Sequence, residues 1–224
     1  MRIRLLAIGL ALMAATSAHA ELLTFRANTT ITGVTIGGGL PLAGAVGDTL
    51  LIDYTFDSAT PEYPGYGAVI GRGFYAAVSA ISLHVNGTSF GYTSTCCVNI
   101  LDIYNDYSTG GPLTDQYSMS ATALIYPPAA TVSTRFTLSS NVTAGTGPVT
   151  TELLPLSPPD VTAFTSASGM FFITYAATPT ATGQIRFNVN SIEETSPVPL
   201  PAAAWLLLSG LGGLGAFVRR KIRA

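Results

Sequence analysis

The sequence predicts an all-β fold, an antiparallel two-sheet sandwich of the jelly-roll-like kind with roughly eight to ten strands. Short runs rich in Thr, Val, Ile, Tyr and Phe recur along residues 21–195, separated by Gly, Pro, Asn and Asp. Several runs alternate polar and apolar residues with the period of two that is typical of a half-buried strand. No helical periodicity longer than two turns interrupts them.

Nine segments carry this strand pattern. In the second of them, Ile52, Tyr54 and Phe56 share one face. The dipeptide Asn86-Gly87 separates two others and predicts a tight hairpin, because both residues tolerate the positive φ of a type I′ turn. The segments are 29–36, 51–56, 78–85, 88–92, 98–104, 117–125, 132–139, 170–175 and 184–192.

The first twenty residues have the three parts of a secretory signal peptide. Arg2 and Arg4 form the basic region, and residues 5–15 form the apolar region. Ala18 and Ala20 occupy the small-residue positions that signal peptidase requires, so we expect cleavage after Ala20. The expected partners at this stage are the Sec translocon and signal peptidase, and the protein is predicted to be exported.

Residues 196–224 predict a membrane-inserted tail. The uncharged stretch 202–218 has seventeen residues, which as a helix span about 25 Å against a hydrocarbon core of about 30 Å. A basic cluster follows and is expected to stay in the cytoplasm, which leaves residues 21–195 outside the inner membrane. The cluster comprises Arg219, Arg220, Lys221 and Arg223.

The tail resembles the PEP-CTERM family of bacterial sorting signals. The motif Val198-Pro199-Leu200-Pro201-Ala202, the apolar segment and the basic cluster occur in the family's order and match its VPLPA variant. The resemblance implies cleavage by a membrane-embedded exosortase and a final location at the cell surface or in the extracellular matrix. It also implies bacteria that build exopolysaccharide or a biofilm matrix. The alternative is an ordinary membrane anchor after a Pro-rich stalk.

The predicted domain, residues 21–195, is strongly acidic. It holds four arginines, no lysine and twelve acidic residues, a formal charge of −8, whereas the whole chain carries −2. Such a surface repels phosphate backbones, so we expect no nucleic-acid partner.

Few side chains in this domain suit catalysis. His84 is its one histidine and is expected to face solvent, and no Gly-x-Ser-x-Gly nucleophile motif is present. Asp102, Asp106 and Asp115 are the candidates for a glycosidase pair or a calcium site, although their pattern favours turn and strand-surface roles. We therefore expect no enzyme, no cofactor and no metal site.

The adjacent pair Cys96-Cys97 is unusual in an exported protein. Adjacent Cα atoms lie about 3.8 Å apart, below the usual disulfide window. A strained vicinal disulfide at a bend is favoured; a bridge to another chain, or one buried and one exposed thiol, stay open.

Four tyrosines are candidates for glycan contact, although their pattern favours the shielding of hydrophobic surface at strand ends. Tyr63 and Tyr66 lie in a Pro/Gly-rich loop, and Tyr104 and Tyr107 flank the pair Asn105-Asp106.

The sequence therefore leaves three hypotheses: a non-enzymatic surface or matrix protein, an exopolysaccharide-binding module, and a polysaccharide-active enzyme. The scarcity of catalytic side chains favours the first.

Overall fold

The computed structural model describes residues 22–36, 44–64, 70–93, 99–108, 110–125, 130–175 and 178–195. These residues form ten strands and one 3₁₀ turn, Val161–Ala163. The strands are β1 (Leu22–Ile36), β2 (Thr49–Asp57), β3 (Arg72–Tyr75), β4 (Val78–Val85), β5 (Thr88–Thr93), β6 (Ile100–Tyr107), β7 (Leu113–Ile125), β8 (Ala130–Val142), β9 (Ser166–Tyr175) and β10 (Thr178–Glu194).

Several residues singled out in the sequence lie outside these described ranges. They are the predicted signal peptide with Ala18 and Ala20, the pair Cys96-Cys97, Tyr66, and residues 196–224, which hold the predicted sorting motif, membrane helix and basic cluster. Within the described part of the chain, no helix has the length and apolar character needed to cross a membrane.

The prediction of an all-β antiparallel domain is confirmed. Each of the nine predicted segments overlaps an observed strand, and every strand pair is antiparallel. The tenth strand, β3, was not predicted, and neither was the first half of β1. The strand order is β3-β6-β7-β8-β9-β10-β1-β2-β4-β5, so most neighbours follow one another along the chain.

The division into two sheets was wrong for the described strands, because all ten are hydrogen bonded in one sheet. This sheet curls so that strands distant in its order face each other across the core. The ring of Tyr54 on β2 packs edge-on against Phe136 on β8 at 5.6 Å, and Phe90 on β5 lies 6.0 Å from Phe171 on β9. One curled sheet thus buries its own inner face as two packed sheets would.

Alternation along each strand builds the core. In β2 every second residue from Leu50 to Phe56 is buried, as the predicted face of Ile52, Tyr54 and Phe56 requires. Phe25 on the neighbouring strand β1 packs edge-on against Tyr54 and Phe56. Aromatic residues therefore fill the centre of the curled sheet.

The predicted hairpin between β4 and β5 is present. Asn86 and Gly87 have φ values of 48° and 77°, as the two central residues of a type I′ turn require. This turn fixes the register of the hairpin, which places His84 opposite Ser89.

The first and last described strands pair with each other in the middle of the sheet. β1 lies between β10 and β2, and Phe25 is opposite Glu194. The Thr195 amide donates to the carbonyl oxygen of Thr24 at 2.9 Å. The two ends of the described chain therefore lie side by side.

A long segment between β8 and β9, residues 143–165, packs beside β3, β6 and β7. The hydroxyl of Tyr75 donates to the carbonyl oxygen of Glu152 at 3.1 Å, and Leu154 is buried. This cover closes the end of the core where β3 and β6 would otherwise be open.

Candidate functional site

The most elaborate polar cluster lies on the outer face of β3 and β6. Arg72 donates two hydrogen bonds to the carboxylate of Asp102, at 2.8 and 2.7 Å. The register places Arg72 opposite Tyr104 and Phe74 opposite Asp102, so the four side chains alternate across the two strands. The Arg72 guanidinium carbon lies 5.2 Å from the Phe74 ring centroid and 5.1 Å from that of Tyr104.

This environment sets the protonation of the cluster. The hydrogen bonds from Arg72 to Asp102 raise the pKa of the guanidinium further above its ordinary value. Burial, followed by the nearby Asp102 charge, raises the pKa of Tyr104 to about 12. The Tyr104 hydroxyl donates to the same carboxylate at 3.1 Å. Asp102 is thus a paired anion, and its oxygens are already occupied.

The described tyrosines proposed for glycan contact lie near this cluster. The rings of Tyr104 and Tyr107 are 4.6 Å apart, and Tyr63 packs edge-on against Phe74 at 6.0 Å with 37% of its surface exposed. Much of the ring surface at Tyr104 is therefore taken up by Tyr107 and Arg72. The geometry favours a structural role for this aromatic cluster.

The carboxylates of Asp106 and Asp115 hold backbone amides of the covering segment. Asp115 is fully buried, and its two oxygens accept from the amides of Asp106 at 2.9 Å and Val149 at 2.8 Å. Asp106 accepts from the Gly145 amide at 2.7 Å. The two aspartates therefore do come together, but as a clamp on residues 145–149.

Asp106 itself is held in an unusual conformation. Its φ is 51°, in the left-handed region, and its Oδ1 is buried with no hydrogen-bond partner. The predicted turn at this residue is thus a left-handed kink near the end of β6, beside a register shift in its pairing with β7. Among the described residues, no group of three His, Cys, Asp or Glu side chains is arranged to hold a metal ion.

A second polar network lies on the outer face of β2, β4 and β5. His84 Nδ1 is 2.7 Å from Ser89 Oγ, and His84 Nε2 is 3.4 Å from Asp53 Oδ2. This order of serine, imidazole and carboxylate is similar to that of a hydrolase triad. No local pattern of residues indicates this network, because the three residues meet only through the strand register.

The surroundings of this network do not suit nucleophilic catalysis. Arg26 donates two hydrogen bonds to the Asp53 carboxylate, at 2.7 and 2.8 Å, so this anion already has a cation partner. Ser89 is exposed on the edge strand β5, whereas acyl transfer needs aligned oxyanion donors in a site that excludes water. We therefore interpret this network as a set of structural contacts on the surface of the sheet.

The fold and these contacts define the class of protein: an all-β antiparallel domain whose charged side chains are largely engaged in ion pairs and backbone contacts. Comparisons with protein-family models, with curated proteins and with solved structures give no match.

Proposed function

We propose that this protein is an exported, non-enzymatic component of the cell surface or extracellular matrix. Its signal peptide directs export, its C-terminal helix holds it in the inner membrane, and an exosortase cleaves the tail near residues 198–202. The three-part tail and the acidic, lysine-free domain support this proposal.

The non-enzymatic part rests on one observation, the engagement of the carboxylates that are the candidate reagents. Asp102 is paired with Arg72, and Asp115 accepts two backbone amides. Carboxylates of a glycoside hydrolase must instead face a substrate cleft, one protonated and one ionised. The carboxylates of Asp102 and Asp115 are instead engaged in contacts that stabilise the fold.

The sorting part is tested by mass spectrometry of the protein from its native host. We expect a chain that begins at Glu21 and ends near the sorting motif. A Pro199→Ala/Pro201→Ala variant, which leaves the helix and basic cluster unchanged, should retain Ala224 and stay in the membrane fraction. Pro197→Ala, just outside the motif, is the matched control and should be processed normally. An intact C-terminus in the wild type would contradict the proposal and leave a plain anchor.

A further inference from the structure

A shallow groove of about 660 Å³ crosses the outer face of the sheet from β6 to β1. Its lining contains two arginines, one on β8 and one on β10, and mixes polar side chains with apolar ones such as Ile100 and Met170. None of the residues discussed above as candidate reagents lies in it. The polar residues that line it are Thr32, Ser118, Ser120, Thr137, Ser168 and Asn188.

The two arginines are placed symmetrically. Arg135 and Arg186 are each directly opposite Met170 of the intervening strand β9. Two strand spacings place their Cα atoms about 10 Å apart on the same face. Gly33 is opposite Arg186 on β1, and a Cβ there would make an ordinary van der Waals contact with that of Arg186, at 3.8 Å. Both arginines are exposed.

These two side chains differ from the other arginines of the domain. Arg26 and Arg72 are paired with Asp53 and Asp102. Neither Arg135 nor Arg186 makes an ion pair with a described residue, and no carboxylate lines the groove. In a domain of formal charge −8, the two arginines that no described acid neutralises thus face the same groove.

We infer that this groove binds an acidic polysaccharide through its carboxylate groups. Arg135 and Arg186 would each receive one carboxylate, because guanidinium pairs with carboxylate in a planar two-bond geometry. The hydroxyl and amide side chains beside them suit the hydroxyl groups of sugar rings, while Met170 lies between the two arginines. The inference relies on the proposed function for the extracellular setting in which the protein meets such a polymer.

Two other polyanions fit the groove less well. DNA carries one charge per about 1.7 Å of its axis, a higher charge density than that of a polymer with one carboxylate per sugar ring, so the acidic domain repels DNA more strongly. An acidic peptide would gain affinity by adding a strand to a sheet edge. Strands β8, β9 and β10 are paired on both sides, so they offer it no such edge.

The test is a titration of the full-length protein in detergent with polygalacturonate. The same polymer with its carboxyl groups methyl-esterified serves as the uncharged control, and polyglutamate and single-stranded DNA serve as the competing polyanions. We expect the wild type to bind polygalacturonate and none of the other three polymers. The affinity of the Arg135→Gln/Arg186→Gln variant for polygalacturonate should be lower by about tenfold or more. Arg135→Lys/Arg186→Lys should fall between the two, because lysine keeps the charge but not the planar pair.

The matched control lowers the net charge equally, away from the groove. Ala144→Glu/Thr150→Glu changes two exposed residues of the covering segment, and its affinity should stay within about twofold of wild type. The inference is wrong if polygalacturonate does not bind, if the esterified polymer or polyglutamate binds equally well, or if the glutamine variant with a native circular dichroism spectrum binds like wild type. Tail processing is measured separately, so failure here leaves the sorting proposal standing.

Discussion

The phenol oxygens of Tyr54 and Tyr117 lie 3.0 Å apart inside the core, where the two residues are 0% and 3% exposed. Tyr54 is on β2 and Tyr117 is on β7, strands that stand five places apart in the sheet order. This hydrogen bond, in which one hydroxyl donates to the other, therefore forms only when the sheet curls.

Removing both of these hydroxyls should cost less than the two single removals added together. Tyr54→Phe or Tyr117→Phe leaves a buried hydroxyl without its partner, and we expect the free energy of unfolding to fall by about 1–3 kcal/mol. The double variant should lose clearly less than the sum of the two. Urea denaturation measures all three, with Tyr107→Phe as the control because that half-buried ring lies outside the core. Single variants as stable as wild type would contradict this view of the pair.

Alkaline pH should destabilise the folded protein. Burial raises the pKa of Tyr54, Tyr117 and Tyr92 above the ordinary value of 10.0, and that of Tyr104 to about 12. Below pH 10 both states keep these protons, so the tyrosine contribution is constant there. Above pH 10 the unfolded chain loses protons first, so the free energy of unfolding should fall with rising pH through the folded-state pKa values.

Tyrosinate absorbance recorded during the same alkaline titration provides the check. The buried tyrosines should titrate only as the protein unfolds. Tyr104→Phe should reduce the slope of stability against pH between about 10 and 12. One shared midpoint for all tyrosines in a protein that stays folded would contradict the expectation.

The carboxylate of Asp115 should be needed to hold the covering segment, residues 143–165, against the sheet. Asp115→Asn replaces one acceptor by an amino group that faces a backbone amide, and we expect a loss of about 1–3 kcal/mol. Hydrogen exchange at residues 145–149 should accelerate with it. Asp57→Asn is the control, because Asp57 accepts from the Ala59 amide in an exposed turn where an asparagine oxygen serves equally. Equal effects of the two substitutions would count against the clamp.

Arg72 should tolerate lysine less well than Arg26 does. Both arginines form two-bond pairs with an aspartate, but Arg72 is more buried, 17% against 33% side-chain exposure, and is flanked by two rings. Arg72→Lys should lower the free energy of unfolding by about 1–2 kcal/mol, and Arg26→Lys by less than about 1 kcal/mol. Thermal unfolding of the two variants compares them directly, and the reverse ranking would refute the role of the rings.

Gly169 should not accept a side chain. A Cβ at this position would lie 2.5 Å from both the Arg135 carbonyl oxygen and the Phe187 ring. Gly169→Ala should therefore destabilise the protein by about 1–3 kcal/mol. Gly111→Ala is the control, since that Cβ would meet nothing within 4 Å and should be neutral or slightly stabilising. Chemical denaturation decides, and equal stability of the two variants would refute the packing argument.

Local alternation was enough to predict most of the strands. Segments such as 51–56 and 184–192 alternate clearly because one face of each is buried. The strand β3 was missed because its four residues do not alternate in polarity: Gly73, Phe74 and Tyr75 are all buried. Phe74 is buried on the outer face, among the side chains around Arg72. The first half of β1 does alternate, with Leu23, Phe25 and Ala27 buried, although the predicted segment begins only at residue 29.

The contacts that define the candidate sites depend on strand register and on the curl of the sheet. Arg72 and Asp102 are 30 residues apart, and Asp106 and Gly145 are 39 apart. No local pattern encodes such pairs, and none distinguishes one curled sheet from two packed ones. The sequence therefore reduced the candidate catalytic carboxylates to Asp102, Asp106 and Asp115. It could not show that Asp102 pairs with Arg72, or that Asp106 and Asp115 accept hydrogen bonds from backbone amides.

The pairing of β1 with β10 has a consequence for the order in which the protein is made. The ladder at the middle of the sheet joins residues as far apart as Phe25 and Glu194, so it cannot form until nearly the whole domain has been synthesised. Until then β1 and β9 each present an unpaired edge that invites pairing with other chains. Closure over so long a separation is also slow. The arrival of the last strand therefore both completes the fold and ends the period in which the new chain is most prone to aggregate.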